Sequence, residues 1–360
     1  MIIHSKVKDY RVEMVKDIWS GNPEFSGMSK INRPFFFIDG NLFKFYGPQL
    51  KELVGSHFVL KIDADERNKE YIKLGDYYRA LIEAGFTRND SLVTLGGGIV
   101  QDISGFIAST LYRGINWIFV PTTLLAQSDS CIGSKTSLNY KSYKNLVGSF
   151  FPPNRIFLCP SFTQTLRQED YMSGLGEVVK LHLLGGEQTV RQLIVCLPTL
   201  NMRKDDKALL TAIQKSLEVK ISYMKDDEFD NGKRNMLNFG HCFGHAIEST
   251  SSFAIPHGQA VVIGMMFANI VAKNRRLMGA VLFEQLHQQM LKPTLTFYPG
   301  KCSLDTDAIF AAMQMDKKRT GAGLALIMLV DGYKTMKIDD LAYDELATAN
   351  RELQQILGVA

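Results

Sequence analysis

The chain has 360 residues, of which 46% are hydrophobic and 22% are charged, and its formal net charge at pH 7 is +4. These values are typical of a soluble globular protein that is long enough for two domains and a large core. Lys and Arg form no run of five or more, which excludes a polybasic stripe for nucleic acid or for a membrane surface.

The cysteines and the first residues indicate the compartment. The five cysteines are scattered and form no C-x-x-C motif, which argues against a disulfide framework or a zinc ribbon and favours a reducing environment. Residues 1–19 carry charges throughout and lack the apolar core of a signal peptide. No stretch approaches the roughly 18 uncharged apolar residues of a membrane span. We therefore expect a cytoplasmic protein.

Residues 1–155 alternate strand-like and helix-like segments. Two apolar runs, 33–39 and 57–63, end in polar residues, as buried parallel strands do. The alternation continues with a helix at 69–86 and a strand at 91–95, which leads into a glycine run at 96–98. A helix at 99–111 and a strand at 115–121, which ends in proline, follow. This rhythm predicts an α/β domain with a parallel sheet wrapped in helices.

From about residue 159 the pattern becomes mainly helical. Helical periodicity occurs at 169–184, 206–227, 240–250, 258–278 and 339–357. The segment FFPPNR (150–155) is the predicted hinge, because Pro-Pro ends an element and stiffens a connection. We therefore predict an α/β domain at 1–155 and a mainly α-helical domain at 156–360.

The glycine run lies in TLGGGIVQD (94–102), where a strand leads into a helix. Such a turn lets backbone N–H groups approach a diphosphate at the helix N-terminus. The stretch is not G-x-G-x-x-G, so a nucleotide site and a tight strand-to-helix turn both remain open. Asp39 and Asn41, just past an early strand, would suit ribose or nicotinamide contacts.

The densest polar stretch, 120–148, follows a predicted buried strand at the sheet end where α/β proteins bind ligands. Lysine and asparagine side chains there would suit phosphate and hydroxyl groups. The same composition is also typical of a solvated loop. The polar residues are Thr122, Thr123, Asp129, Lys135, Asn139, Lys144 and Asn145.

An acidic residue and three histidines form the candidate metal site. Glu177 lies in an apolar helical segment with Lys180 three residues later, which fits a salt bridge or a metal ligand. His241 and His245 share one helical face in LNFGHCFGHAIE, and His257 begins the most apolar helix. A catalytic zinc takes three protein ligands, and spacing alone favours both His241 and His245 among them. Buried structural histidines remain the alternative.

Two other sequence features, the spacing of the histidine pair and a pair of lysines, are weaker indications of function. The H-x-x-x-H spacing resembles half of a zincin site, but Cys242 stands where H-E-x-x-H has its glutamate, so the base of a metalloprotease is missing. Lys317 and Lys318 precede a glycine turn and an apolar strand, 324–330. Lysines in such a place are usually solvated, and phosphate binding is the less common outcome.

Taken together, the motifs resemble those of the 3-dehydroquinate synthases, in the sugar phosphate cyclase superfamily. The match runs from about Asp39 to the Asp-Lys-Lys segment at 316–318. It passes through GGGIVQDISGF, LYRG, PTTLLAQSDS, GSKTSLN, KNLVG, GLGEVVK, LNFGHCFGHAIE and HGQ. The resemblance implies a Rossmann-like, NAD-binding α/β domain followed by a helical, metal-binding domain.

The resemblance also implies a role for each candidate residue. Glu177, His241 and His257 would bind Zn²⁺ or another divalent metal such as Co²⁺, and His245 would be an acid/base catalyst near the leaving phosphate. The implied NAD contacts are Asp39, Glu66, Lys69, Gly97, Gly98, Asp102, Thr122, Thr123 and Lys144. The implied substrate residues are Asp129, Lys135, Asn145, Lys180, Lys220, Arg234, Asn238 and Lys317 or Lys318. Arg113 of LYRG would reach the substrate of a neighbouring subunit in a homodimer.

The implied reaction is that of a carbon–oxygen lyase of the shikimate pathway for aromatic amino acids. It converts 3-deoxy-D-arabino-heptulosonate 7-phosphate to 3-dehydroquinate and phosphate by transient oxidation, elimination, re-reduction and aldol closure, so NAD is recycled in each turnover. Arg234 favours this substrate, because it matches the position that meets the substrate carboxylate. The expected partner is therefore a small anionic sugar phosphate, with no nucleic acid and no membrane.

Some positions depart from the family pattern. Gln259 stands where H-G-E is usual, Ser134 precedes Lys135, and Gln101 replaces a usual glycine. These departures suggest a diverged member. One alternative is a specialised cyclase for an amino analogue or for sedoheptulose 7-phosphate. Another is a metal-dependent NAD alcohol dehydrogenase, which net NADH production would reveal.

Overall fold

The computed structural model of the chain describes residues 1–19, 31–141, 143–296, 304–315 and 324–359. Its contacts divide the chain into two units, Met1–Leu166 and Arg167–Ala360. Each unit has its own hydrophobic core and is described separately.

A parallel sheet forms the centre of the first unit. The strands of this unit are β1 (Ile2–Ile3), β2 (Tyr10–Met14), β3 (Pro34–Asp39), β4 (Val59–Ile62), β5 (Ser91–Gly96), β6 (Asn116–Pro121), β7 (Lys135–Tyr140), β8 (Tyr143–Phe150) and β9 (Arg155–Leu158). Seven of them form one sheet in the order β1-β2-β9-β6-β5-β3-β4. Only the β1–β2 pairing in this sheet is antiparallel. Every residue of β5 is buried, as expected of a central strand covered on both faces.

Helices α1 (Leu42–Val54), α2 (Leu74–Glu83) and α3 (Gly98–Thr110) connect these strands. Leu42, Leu50 and Val54 of α1 join a buried cluster with apolar residues of β3, β5 and β6. Helix α3 contacts β5 and β6. The predicted Rossmann-like α/β architecture is therefore confirmed.

The polar stretch at 120–148 is not a solvated loop. It forms a π-helical turn at Ala126–Ser130 and then the antiparallel hairpin β7–β8. Helix α3 packs against β7, which fixes the polar side chains of the hairpin on a rigid element.

The Pro-Pro segment belongs to the first unit. Strand β9, which follows it, pairs in parallel with β2 and β6. The indole Nε1 of Trp117 donates to the Pro152 carbonyl at 2.9 Å, and the Trp117 backbone N–H donates to the Asn154 side chain at 3.1 Å. The division between the units falls after Leu166, later than the predicted boundary at 155, because this strand completes the sheet.

The second unit is built around one buried helix. Its helices are α4 (Gln168–Leu184), α5 (Glu187–Asn201), α6 (Asp206–Met224), α7 (His241–Thr250), α8 (His257–Asn274), α9 (Ala280–Leu286), α10 (Lys292–Thr294), α11 (Thr306–Gln314) and α12 (Tyr343–Leu357). Helix α8 is buried from Gly258 to Ala272 and contacts α4, α7 and α12. The predicted strand at 324–330 is β10 (Leu324–Val330), which pairs with β11 (Lys334–Leu341).

Two glycines allow α8 to approach its neighbours. A Cβ at Gly258 would overlap the Ser173 carbonyl of α4. Gly240, just before α7, has φ +79°, and a Cβ there would lie 2.6 Å from the Val261 carbonyl of α8. Because no side chain separates these backbones, the helices pack closely and side chains from α4, α7 and α8 can contact one another.

Neither a disulfide nor a membrane helix occurs among the described residues. The cysteines in these ranges have free thiols, namely Cys131, Cys159, Cys196 and Cys242. In the same ranges, none of the helices is both long and apolar enough to cross a bilayer.

Candidate active site

Three predicted metal ligands meet in the second unit. Glu177 lies in the middle of α4, His241 is the first residue of α7, and His257 is the first residue of α8. Glu177 Oε1 lies 3.7 Å from His241 Nε2 and 3.4 Å from His257 Nε2. Ligands at the usual zinc distances around a tetrahedral ion are about 3.4 Å apart. One carboxylate and two imidazoles at this separation fit a divalent metal.

Burial and charge in this cluster favour a cation. Glu177 is only 1% exposed. Burial, together with Lys180 and the neighbouring histidines, holds the pKa of His241 well below its usual value, so its imidazole is neutral. Burial opposes a proton on His257, but hydrogen bonds to Glu177 and Glu248 raise its pKa to about 10. The carboxylates of Glu177 and Glu248 therefore stabilise a positive charge beside His257.

Lys180 forms a buried ion pair with the same glutamate. Its Nζ lies 2.5 Å from Glu177 Oε2, and both side chains are almost fully buried. The salt bridge and the candidate metal site, which are alternative interpretations of the sequence, would therefore use different oxygens of one carboxylate. The lysine holds Oε2, while Oε1 faces the two imidazoles.

His245 lies outside this cluster. It is one helical turn after His241, with ring centroids 5.3 Å apart, and its side chain is exposed. Among the described residues, the group that includes Glu177 contains His241 and His257 but not His245. The geometry thus separates His245 from the group around Glu177, whereas spacing alone favours both histidines as ligands of one metal.

Glu248 is a residue that the sequence reasoning missed. Its Oε2 lies 3.2 Å from His257 Nδ1. With His245 and His257 it forms a second group of potential ligand atoms. The available signal was spacing, because positions 241, 245 and 248 recur on one face of a helix.

A turn next to this site contains Arg234. It spans Lys233–Asn238 and is preceded by Asp227, whose carboxylate accepts the backbone N–H groups of Asn231, Gly232 and Arg234. Arg234 is 4% exposed, and its guanidinium donates to the Glu228 carbonyl. The Asn238 amide donates to the Asn235 carbonyl at 3.1 Å.

The other predicted substrate residues lie on elements other than the turn that contains Arg234. Lys220 is buried on α6, Asp129 lies in the π-helical turn, and the exposed Lys135 begins β7. Arg113 is exposed at the end of a short turn with φ +65°. Lys317 and Lys318 lie outside the described residues.

In the first unit, five predicted residues share one network of hydrogen bonds and ion pairs with two others, and the Asn145 backbone N–H, which donates to the Asn139 side chain at 3.0 Å, joins its two halves. Lys69 is buried and lies 2.5 Å from Asp102 and 2.7 Å from Asn145 Oδ1. Ser137 donates to Asp102 through its backbone N–H and its hydroxyl. Asn139 donates to Glu66 at 2.8 Å, and Lys144 lies 3.9 Å from the same carboxylate. The predicted members are Glu66, Lys69, Asp102, Lys144 and Asn145.

The predicted nucleotide turn lies at the carboxyl edge of the sheet. Gly97 is the N-cap of α3, and a Cβ there would lie 2.8 Å from the Thr123 side chain. At Gly98, apart from its chain neighbours and the backbone of its own helix, no described atom lies within 4 Å of the place that a Cβ would take. The first glycine therefore serves the tight turn, and the second leaves open space at a helix N-terminus, where an anion is favoured.

Two further predicted contacts lie at the same edge. Asp39 ends β3, next to β5, and accepts the Asn41 backbone N–H at 2.9 Å. Burial raises the pKa of Asp39. Thr122 follows β6, and its backbone N–H donates to the Gly96 carbonyl. The ends of three adjacent parallel strands thus bring polar groups to one place.

The match to known families covers most of the chain. The model of the 3-dehydroquinate synthase N-terminal domain matches residues 59–173, and that of the C-terminal domain matches residues 174–319. The chain is 30% identical over 341 residues to 3-dehydroquinate synthase of Streptococcus pyogenes serotype M18 (strain MGAS8232), covering 94% of each. It is 34% identical over 284 residues to that of Lactococcus lactis subsp. cremoris (strain MG1363), covering 78% of each.

Solved structures with the same fold include other cyclases. The 2-epi-5-epi-valiolone synthase of Streptomyces hygroscopicus subsp. jinggangensis 5008, with NAD⁺ and Zn²⁺ bound, has a TM-score of 0.85 at 22% identity and covers 99% of each chain. A 2-deoxy-scyllo-inosose synthase with carbaglucose-6-phosphate, NAD⁺ and Co²⁺ has a TM-score of 0.87 at 24% identity, covering 98% of this chain and 99% of its own. At these identities the likeness establishes the fold. Together with the family models and the curated relatives, it places the chain in the 3-dehydroquinate synthase family, among the sugar phosphate cyclases.

Proposed function

We propose that the chain is a 3-dehydroquinate synthase that converts 3-deoxy-D-arabino-heptulosonate 7-phosphate to 3-dehydroquinate and phosphate. The observation that carries the proposal is the meeting of Glu177, His241 and His257. It occurs in a chain whose curated relatives of 30–34% identity are 3-dehydroquinate synthases. A carboxylate and two imidazoles form the ligand set of several catalytic zinc sites.

NAD and a divalent cation would supply the chemistry that the side chains cannot provide. Bound NAD would supply reversible hydride transfer, with no net oxidation of the substrate. A divalent cation held by Glu177, His241 and His257 would lower the pKa of a substrate hydroxyl and polarise a carbonyl. The first unit would hold NAD at Gly97 and Gly98, where the helix N-terminus favours a diphosphate.

The side chains of the protein would bind the substrate and move protons. His245, exposed and outside the ligand cluster, is suited to proton transfer at the leaving phosphate because an imidazole titrates near neutral pH. Arg234 would bind the substrate carboxylate in a bidentate manner. The residues proposed to hold phosphate and hydroxyl groups are Asp129, Lys135, Asn145, Lys180, Lys220, Asn238 and one of Lys317 and Lys318.

A homodimer is part of this proposal. Arg113 is exposed on a strained turn, with φ +65°. In the proposed assembly it would contribute a cation to the substrate of a second copy. A variant lacking this guanidinium should therefore lose turnover while keeping its metal.

A second candidate function is a cyclase for a modified or different sugar phosphate. The observation that favours it is Gln259, which stands where the family usually has glutamate beside the ligand His257. Sedoheptulose 7-phosphate lacks the carboxylate that Arg234 would bind, whereas an amino analogue of the first substrate would retain it. The substrate tested therefore decides between the two functions.

The test is turnover by the full chain with zinc, catalytic NAD and 3-deoxy-D-arabino-heptulosonate 7-phosphate. We expect phosphate and 3-dehydroquinate in equal amounts by mass spectrometry, without accumulation of NADH. Arg234→Met should lose most of this activity. The matched control is Arg191→Met, which removes an exposed arginine that pairs with Glu187 on α5, and it should behave like the parent.

Two results would contradict the proposal. Turnover of sedoheptulose 7-phosphate or an amino analogue, with none of the first substrate, would establish the second candidate function. Net formation of NADH from a polyol would instead indicate an alcohol dehydrogenase.

A further inference from the structure

His257 lies between two carboxylates. Its Nε2 is 3.4 Å from Glu177 Oε1, and its Nδ1 is 3.2 Å from Glu248 Oε2. An imidazole that binds a metal through one nitrogen carries a hydrogen on the other, and the partner of that hydrogen fixes the tautomer. Either ring nitrogen of His257 could therefore bind a metal, with the other nitrogen donating to a carboxylate.

Burial distinguishes the two sides of the ring. On the Nε2 side, the side chains of Glu177 and His241 are 1% and 14% exposed. On the Nδ1 side, the third member of the group is His245, which is exposed. His241 and Glu248 are equally exposed at 14%, so the two sides differ in their other members, which are the fully buried Glu177 and the exposed His245. The group on the Nε2 side is therefore the less solvated ligand set. The geometry thus favours Nε2 as the metal-binding nitrogen.

We propose that Glu248 is a positioning residue that accepts the Nδ1–H of His257 and directs Nε2 toward Glu177 and His241. This inference rests on the metal site of the proposed function. It assigns Glu248 no direct contact with the metal or the substrate.

The backbone around Glu248 supports this role. Its carbonyl accepts the Phe253 backbone N–H at 2.8 Å and the Ser251 hydroxyl at 3.2 Å. These bonds close the turn between α7 and α8, in which Ser252 and Phe253 have positive φ. Glu248 is thus bonded to the turn through its carbonyl and to the first residue of α8 through its carboxylate. It links the two helices that begin with His241 and His257.

The test is zinc affinity of the metal-stripped full chain, measured by competition with a chromophoric chelator in the absence of substrate. Removing the partner of a metal-bound histidine typically weakens metal binding by about 10- to 100-fold, which is the loss expected for Glu248→Ala. Glu248→Gln should lose less, because its amide oxygen still accepts the Nδ1–H. The matched control is Glu218→Ala on α6, which removes an exposed glutamate paired with Lys215 and should bind zinc normally.

Substitution of Co²⁺ for zinc adds a spectroscopic readout of the ligand set. We expect the same absorption bands for Glu248→Gln and the parent, because the ligands themselves do not change. Parental zinc affinity in Glu248→Ala would overturn the proposal. So would altered cobalt bands in Glu248→Gln, or a zinc loss in Glu248→Ala as complete as in His257→Ala, because either would make Glu248 a ligand. Failure of the proposed function is a separate result, namely no 3-dehydroquinate from zinc-loaded parent protein.

Discussion

Gln259→Glu would restore the residue that the family usually has, yet we expect it to destabilise this protein. Gln259 is 2% exposed. Its Nε2 donates to the carbonyls of Met172 at 2.9 Å and Thr294 at 3.2 Å. Its Oε1 accepts the Thr296 backbone N–H at 2.7 Å. The amide therefore satisfies donors and acceptors in a way that a carboxylate does not.

A glutamate here would face two carbonyl oxygens and would escape repulsion only by keeping a proton. Holding that proton at pH 7.5, against an ordinary pKa of about 4.3, costs about 4 kcal/mol, because each pKa unit is worth about 1.4 kcal/mol. The one donated hydrogen bond that is still lost adds about 1 kcal/mol. We expect the free energy of unfolding to fall by about 5 kcal/mol at pH 7.5 and by about 2–3 kcal/mol at pH 5.5.

The sign follows from the protons bound in each state. Between about pH 4.3 and its raised pKa in the folded protein, the new carboxyl is protonated when folded and ionised when unfolded. The folded state binds more protons, so stability of the variant relative to the parent falls as pH rises.

Urea unfolding of Gln259→Glu and the parent at both pH values measures this difference. Gln289→Glu, the same change at an exposed position of the second unit, is the control and should remain within about 0.5 kcal/mol of the parent. A Gln259→Glu protein as stable as the parent at pH 7.5, or a deficit that does not depend on pH, would refute the reasoning.

Other substitutions test the candidate site. His241→Ala should lose zinc and turnover together, whereas His245→Ala should keep zinc by atomic emission and lose turnover; equal zinc loss would contradict their separate roles. Asp227→Ala should raise the KM for a carboxylate substrate about tenfold with little change in kcat, because it frees the turn that holds Arg234 (tenfold is about 1.4 kcal/mol); an unchanged KM would count against it. Slight burial raises the pKa of Asp227, but its three backbone hydrogen bonds lower it overall. The ionised Asp227 therefore stabilises the folded protein above roughly pH 4, and this stabilisation is lost as the pH falls through the pKa of the folded state. Acid unfolding of the parent and of Asp227→Ala would measure the difference. Lys69→Met should weaken NAD binding in calorimetric titration and destabilise the first unit by about 1–3 kcal/mol, because it leaves the Asp102 carboxylate, which is 17% exposed, without its cation; normal affinity would argue against the predicted NAD site.

Sequence patterns predicted the elements whose burial is uniform. Strand β5 is mainly apolar and is buried at every position, and the buried part of α8, from Gly258 to Ala272, is apolar except for Gln259 and Asn269. In both elements, the burial of apolar side chains dominates the sequence pattern. The family motifs then linked Glu177, His241 and His257, which are far apart in the chain, and no local pattern could have done so.

The missed features depend on long-range polar contacts. Hairpin β7–β8 lacks a clear apolar alternation, because Asn139 and Asn145 point into the hydrogen-bonded network of the first unit instead of a core. Strand β9 follows Pro-Pro, which resembles a hinge, and its place is set by pairing with strands that are distant in sequence. Glu248 was missed because its partner, His257, lies on the next helix.

The three candidate metal ligands all come from the second unit, whereas the residues predicted to bind NAD all come from the first. A ligand that binds only the folded form at 100 times its Kd stabilises that form by about 2.7 kcal/mol. Zinc should therefore protect the second unit from unfolding, and NAD the first, which limited proteolysis with each ligand added separately would measure. A cell that runs short of zinc would then expose the second unit to proteases while the first stays folded, so metal supply would set the lifetime of the enzyme as well as its activity.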